Sequence, residues 1–455
     1  MALLDTSIVL VALPTIGRDL AGTSPEVLLW VVLTYSLVMT TLLLSLGRLS
    51  DMFGRARLYT LGFAIFTVGS AMSSLAPDGE ILLGARVVQG VGAGLLSANS
   101  AALITDAFAV NERGRALGLN QVAAISGSMM GLVIGGLLTS ALGWRSIFWV
   151  NIPIGTFGTI WSYYQLPKDK PNEHAERIDW RGNIAFALGI TLFLAGITLG
   201  GLYGWTSPLI ITLIVVGLAL LLVFAFWERI IESPLMDLTL FRIRTFTFGN
   251  TAAFLSALAR GAFSFIMVFY FQGVVGLSPF DSGLLLIPLS IAFMIFGPLS
   301  GAISDRTGAR GLGTAGLLVS ALGFFMLIFF PANGPYWELV ISMVLLGIGQ
   351  GLFASPNRAE VMSSVPPERR GVASAISMTV LQAGNLGSLA LGFTVLAGVV
   401  PRSTLSAVFA GLGSAGVTDV GSFMVGLHIL FAVSLGITLL GAWANWVRGT
   451  RQING

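Results

Sequence analysis

The sequence predicts an all-α polytopic membrane protein, with two six-helix bundles in parallel repeat and two inserted helices between them. Three observations carry this expectation. Only 10% of the 455 residues are charged and 55% are hydrophobic, with a mean hydropathy of +0.88; soluble domains carry about 25% charge. The apolar residues gather in fourteen long runs that are continuously apolar rather than alternating, which selects helices over a barrel. Motifs of the first half return in the second half in the same order.

The runs lie near 1–20, 27–47, 58–76, 80–107, 116–142 and 147–166, then 182–204 and 208–228, then 246–275, 281–304, 311–331, 335–363, 371–400 and 421–447. A length of about 20 residues crosses the hydrocarbon core. The two most charged connectors are 167–181 and 228–244. The expected domains are therefore 1–166, a first six-helix bundle; 167–245, cytoplasmic connectors with the two inserted helices; and 246–455, a second six-helix bundle. The start shows no basic segment followed by a small-residue cleavage site, so no cleavable signal is expected.

Basic residues set the orientation. With the N-terminus inside, 19 of the 24 Lys and Arg residues fall in inside loops, and only Arg18, Arg145 and Arg402 fall outside. That asymmetry follows the positive-inside rule and places both termini in the cytoplasm. It also accounts for the basic loops without nucleic acid. Cysteine is absent, which excludes disulfides and thiol chemistry. His174 and His428 form no metal cluster. Gly90, Gly92 and Gly94 lie in an apolar run with no following Gly-Lys-Ser, so no nucleotide site is read there. No metal, cofactor or enzyme activity is expected.

The repeat is specific. Gly47-Arg48-Leu49-Ser50-Asp51-Met52-Phe53-Gly54 returns as Gly301-Ala302-Ile303-Ser304-Asp305-Arg306-Thr307-Gly308, offset 254, and Ser24-Pro25 returns as Ser278-Pro279. Gly90, Gly92 and Gly94 return as Gly347, Gly349 and Gly351, offset 257; Glu112-Arg113-Gly114 has a counterpart in Glu368-Arg369-Arg370-Gly371. Both copies of each loop fall on the inside, so the repeats are parallel, about an axis along the membrane normal.

With these motifs in hand, the chain resembles the major facilitator superfamily, in its fourteen-helix drug:proton antiporter branch. The loop from Gly47 to Arg57 looks like the superfamily's loop signature. Leu4-Asp5-Thr6-Ser7-Ile8-Val9 with Ala12-Leu13-Pro14 resembles the branch's first-helix motif, and Arg86 to Gly94 its fourth-helix motif. Trp144 to Gly155 is similar to the stretch that opens its sixth helix. The resemblance implies a secondary transporter working by alternating access. It further implies proton-coupled efflux of amphipathic small molecules, with protons and membrane lipid as partners, from a monomer in a prokaryotic plasma membrane.

Candidate roles follow. Asp5 and Arg86 are read as the proton-coupling pair. A charge near the bilayer centre costs about 2.5–3.5 kcal/mol and faces a cavity or a partner. Desolvation there favours taking up a proton and a neighbouring cation favours its release, a competition that suits a proton carrier. Few apolar residues precede Asp5: either the true start lies upstream, or this helix is short and Asp5 lies near the inner interface in a wetter setting. Arg260 maps by the 254 offset beside Asp5, and is expected near midplane, paired with Asp5 or holding an anionic group. Tyr35, Asn120, Gln121, Phe269, Tyr270 and Gln272 are further cavity candidates. So are Asn357, Gln382 and Asn385, with Pro356 a possible break in the twelfth run.

Gly47, Asp51, Gly54, Arg55, Arg57, Asp305 and Arg306 are read as a conformational latch, with Asp51 accepting from a helix N-terminus or pairing with Arg55. Gly127, Gly131 and Gly135 form a small-residue packing stripe. Here the chain departs from the resemblance, because Leu132 stands where the family usually has Pro. Two rival functions stay open. One is an exporter or flippase-like carrier of a lipid, lipid-like metabolite or organic anion, favoured by the two membrane arginines. The other is a non-transporting membrane sensor.

Overall fold

The computed structural model describes residues 1–20, 23–108, 112–166, 179–231, 236–332, 334–366, 369–412 and 419–448. Among them every regular element is a helix. The first six runs form α1 (Ala2–Asp19), α2 (Pro25–Phe53), α3 (Arg55–Leu75), α4 (Gly79–Ala107), α5 (Arg113–Leu142), and a sixth split into α6 (Ser146–Trp149) and α7 (Asn151–Gln165). The inserted pair is α8 (Trp180–Tyr203) and α9 (Pro208–Trp227). The second half holds α10 (Arg244–Arg260), α11 (Phe263–Phe269), α12 (Pro279–Leu285), α13 (Ile287–Thr307), α14 (Ala309–Ile328), α15 (Tyr336–Ser363), α16 (Arg370–Val399), α17 (Arg402–Phe409) and α18 (Val420–Val447). Among the described residues eleven segments are long and apolar enough to cross a bilayer. The remaining three of the fourteen runs are α1, α5 and the split sixth.

Local chemistry explains the ends. Ser24 and Asp78 accept from Val27 N and Ile81 N, capping α2 and α4, and Pro25 and Pro208 sit where their missing N–H costs nothing. Gly54 and Gly308 turn the chain between consecutive helices at φ of 100° and 81°, which side chains rarely adopt. Each donates its N–H back to a serine carbonyl, Ser50 at 2.9 Å and Ser304 at 2.8 Å. The two loops thus repeat in geometry as well as in sequence.

Several runs are less regular than their hydropathy suggests. The run 246–275 is interrupted at Gly261–Ala262 and ends in a π-helical turn, Tyr270–Val275. The run 281–304 breaks at Leu286, and α17 is an additional short helix. Pro356 does not break its helix: α15 continues through it from Tyr336 to Ser363. The expected interruption is corrected on that point. Neighbouring helices let a spanning helix carry proline without ending.

The chain resolves into two compact units. One comprises Met1–Leu235, Met267–Leu284 and Ser403–Thr418; the other comprises Met236–Ile266, Leu285–Arg402 and Asp419–Gly455. Within each, the same close crossings recur at the sequence offsets. A Cβ on Gly90 would strike Tyr35 and Val38, and one on Gly347 would strike Leu289 and Ala292. Gly62 abuts Leu95 and Leu96, and Gly316 abuts Leu352 and Phe353; Gly92 meets Phe66, and Gly349 meets Ser320. Such near contact of backbones is how helices associate where lipid removes the hydrophobic drive. The inserted α8 and α9 pack on each other, and Asn183 of α8 donates to Thr41 O of α2 at 2.7 Å.

Candidate functional site

The strongest polar cluster lies inside the first unit. Asp5, in the first turn of α1, is fully buried. Arg86 of α4, also fully buried, donates Nη1 to Asp5 Oδ2 at 2.6 Å. Asp5 Oδ1 accepts from Gln89 Nε2 and from Asn151 Nδ2, both at 2.8 Å. Arg86 Nη1 also donates to Gln89 Oε1, and its Nε donates to Val31 O at 3.1 Å. Gln89 Nε2 reaches Ser70 Oγ at 2.9 Å. Tyr35 lays its ring 4.2 Å from the Arg86 guanidinium carbon and donates its hydroxyl to Ala2 O at 3.1 Å. Partners from α4 and α7 meet the Asp5 carboxylate of α1, while α2 and α3 hold Arg86 and Gln89 in turn.

The depth of this cluster differs from the sequence expectation. Val31 is the seventh residue of α2 and Arg86 the eighth of α4, about 10 Å along each helix from its first residue. Asp5 is therefore buried beside residues about two turns into α2 and α4, and the expectation of a wetter setting is corrected. The reason is register. The beginning of α1 lies against the interior of the longer α2, so the count of residues before Asp5 does not measure its depth.

The cluster retains unused capacity. Arg86 Nη2 and Asn151 Oδ1 are buried with no partner among the described residues. The two amides can each present nitrogen or oxygen, so the same side chains can serve an ionised or a protonated Asp5. By the repeat offsets Asp5, Ser70, Arg86 and Gln89 correspond to Ala259, Phe324, Met343 and Leu346. The polar centre belongs to the first half alone.

The other candidates are distributed. Gln272 donates to Val11 O at 2.9 Å from the π-helical turn, and Phe269 stacks on Phe409 at 4.0 Å between centroids. Both, with Tyr270, are buried in the first unit's packing. Asn357 lies in the second unit near the end of α15. Its Oδ1 accepts from Arg448 Nη1 at 2.9 Å and its Nδ2 donates to Gly249 O, while Arg448 pairs with Glu360 at 2.7 Å. Asn385 donates to Gln382 Oε1 at 3.0 Å on α16. Arg260 sits at the end of α10 in the second unit, and Asp5 takes Arg86 as its ion-pair partner instead. The side chain of Gln121 lies outside the described residues, as do those of Asp51, Asp305 and Arg306. Of the other latch residues, Gly47 has open space around it, Arg57 is exposed, and Arg55 opens α3 after the Gly54 turn.

The stripe on α5 meets α1. A Cβ on Gly131 would lie 2.6 Å from Leu4 O and one on Gly135 2.6 Å from Ile8 Cγ1, whereas Gly127 has open space. Ser7 and Ser128 share a hydrogen bond of 2.7 Å across the same seam. His428 hydrogen bonds Phe330 O through Nε2 at 2.8 Å. No group of metal-binding residues occurs among those described.

Gln89 and Asn151 were not singled out as site residues by sequence. Gln89 had a signal, since it lies three residues after Arg86 and so on the same helix face. Asn151 had none beyond its place in the stretch opening the sixth run.

A membrane-embedded helical bundle with a buried ion pair and duplicated halves defines a transporter of the secondary type. Residues 1–185 and 180–388 match the Major Facilitator Superfamily. The chain belongs to that superfamily, in its fourteen-helix drug:proton antiporter branch. It is 34% identical over 383 residues to the riboflavin transporter RibZ of Clostridioides difficile, covering 84% of this chain and 82% of that one. It is 37% identical over 404 residues to the multidrug resistance protein Stp of Mycobacterium tuberculosis, covering 88% and 73%. The fold resembles a solved D-xylose-proton symporter with a TM-score of 0.66 at 17% identity, over 98% and 95% of the two chains. This protein is therefore an integral membrane transporter of small molecules and not an enzyme.

Proposed function

We propose that this protein exports amphipathic small molecules in exchange for protons, by alternating access, from a prokaryotic cell whose cytoplasm holds both its termini. The observation that carries the reading is the fully buried Asp5, tied to Arg86, Gln89 and Asn151 inside the membrane span. A proton arriving at Asp5 cancels its charge and deprives Arg86 of its counter-ion. The network then has to rearrange, because a buried cation left unpaired is costly. Gln89 and Asn151 can turn their amides to accept from the protonated carboxyl. Coupling follows if proton and substrate favour opposite states of the bundle. The Gly54 and Gly308 turns belong to the loops that latch one of those states, and the protein works as a monomer surrounded by lipid. Relatives named for multidrug resistance and for riboflavin transport support a substrate with an aromatic or apolar body.

The test is flux in proteoliposomes with an imposed pH gradient and a pH-sensitive dye inside, comparing wild type with Asp5→Asn over cationic, neutral and anionic amphiphiles. Gradient-driven flux with matching proton movement, lost in Asp5→Asn, is the expected result. Flux that ignores both the gradient and the substitution would make this a facilitator with Asp5 as a structural residue.

A further inference from the structure

Arg260 is the second membrane-embedded arginine, and its setting is unlike that of Arg86. It is the seventeenth residue of Arg244–Val275, the middle of a 32-residue segment long and apolar enough to cross a bilayer. Arg86 has a carboxylate, a carbonyl and an amide. Arg260 is part-buried, its Nε is enclosed, and no hydrogen bond or ion pair holds it among the described residues. On the helices of its own unit, Asp305, Glu338 and Glu360 all fall in a first or last turn, away from mid-span. An unmatched guanidinium at that depth is expensive and faces a cavity or a ligand.

The surroundings are polar but uncharged. Ser256, one turn before Arg260 on α10, donates to Gln350 Oε1 of α15 at 3.1 Å. Gly261 presses on Asn385 and Ser388 of α16, which brings the Asn385–Gln382 pair beside the same turn. The helix is interrupted at this point. Ala262 N–H leaves the helical ladder and donates to Ser388 Oγ at 2.8 Å. Broken helices lined by polar groups at mid-membrane mark substrate sites in transporters. Among the described residues the charge at the break is positive, and its planar fork of donors matches a carboxylate or phosphate.

We infer that Arg260, with the amides of Gln350, Gln382 and Asn385 around it, binds the anionic group, carboxylate or phosphate, of an amphipathic substrate. The inference rests on the transport reading and narrows it from amphiphiles in general to organic anions. The anion is carried either by a free solute or by a lipid headgroup.

Binding is measured on the purified protein in phosphatidylcholine nanodiscs by calorimetry, with 2-naphthoate and its neutral isostere 2-naphthamide, and with no pH gradient. The full chain is compared with Arg260→Gln and Arg260→Lys, each first checked for a monodisperse elution profile. Wild type is expected to bind naphthoate at least about tenfold more tightly than the amide, the equivalent of about 1.4 kcal/mol. Arg260→Gln should bind the two alike, and Arg260→Lys should restore part of the preference. Equal affinities in wild type, or a preference that survives Arg260→Gln, would overturn the anion site. Phosphatidylglycerol nanodiscs separate the sources: naphthoate displaced there assigns the site to a lipid headgroup, and naphthoate retained there assigns it to a solute. Because no gradient is imposed, failure of proton coupling in vesicles and failure of anion recognition here are read independently.

Discussion

Arg86 Nη1 lies 2.6 Å from Asp5 Oδ2, and neither side chain is exposed. Removing one member of such a pair strands the other, at about 3–5 kcal/mol, whereas replacing both is far less costly. Arg86→Met should therefore lower the melting temperature in detergent sharply. Asp5→Asn combined with Arg86→Met should recover part of the loss, measured as a double-mutant cycle by thermal denaturation. Additive losses in the double variant would mean that the two side chains are not coupled.

The glycine contacts make a second prediction, with its own control. A Cβ on Gly131 of α5 would lie 2.6 Å from Leu4 O, and one on Gly349 of α15 would crowd Ser320 and Gly316. Added methyl groups there force backbones apart, and overpacking costs about 1–3 kcal/mol. Gly131→Ala and Gly349→Ala should each reduce thermal stability. Gly127→Ala, on the same α5 stripe but with nothing within 4 Å, should not. Equal effects at Gly127 and Gly131 would remove packing against α1 as the explanation.

What the sequence made legible was what repeats or what burial alone decides. The glycines matched by the 257 offset turn out to make matching contacts, Gly90 on Tyr35 and Gly347 on Leu289, although the sequence named only the repeat and no contact. Asp5 and Arg86 stood out because charges in apolar runs are few. The remainder depended on register and on local breaks. Nothing in the run 246–275 announces that Ala262 N–H goes to Ser388 Oγ, since both residues read as ordinary small members of spanning helices. The destination of Asn357 was equally hidden. Its partner Arg448 is 91 residues away and reads as a basic residue at a helix end, yet it is buried against Asn357 and Glu360.

The inserted helices supply a third prediction. Asn183 is buried, and its amide ties α8 to the Thr41 carbonyl of α2 at 2.7 Å. Asn183→Ala deletes that donor and should cost about 1 kcal/mol. Its signature should be local: faster amide exchange along α8 and α9, with α3 and α4 unchanged. Uniform acceleration across the bundle would show that α8 is integral to the first six helices rather than fastened to them.

The start of α18 should respond to acid. Asp419 is solvent-exposed and caps the helix, its Oδ1 accepting from Ser422 N at 2.9 Å. That hydrogen bond, with the Ser422 side chain and Gly421 N–H adding to it, holds the Asp419 carboxyl below its ordinary value of 3.8. A depressed carboxylate stabilises the fold at pH above its unfolded value and loses that contribution as pH falls through its folded value. Amide exchange at Ser422 should therefore stay slow down to the ordinary carboxylate range and quicken only below it. Asp419→Asn keeps a capping oxygen that does not titrate, so its Ser422 exchange, corrected for the intrinsic pH dependence of exchange, should be flat over the same range. A wild-type profile as flat as that of the Asn variant would show that the carboxylate form does not hold the first turn of α18.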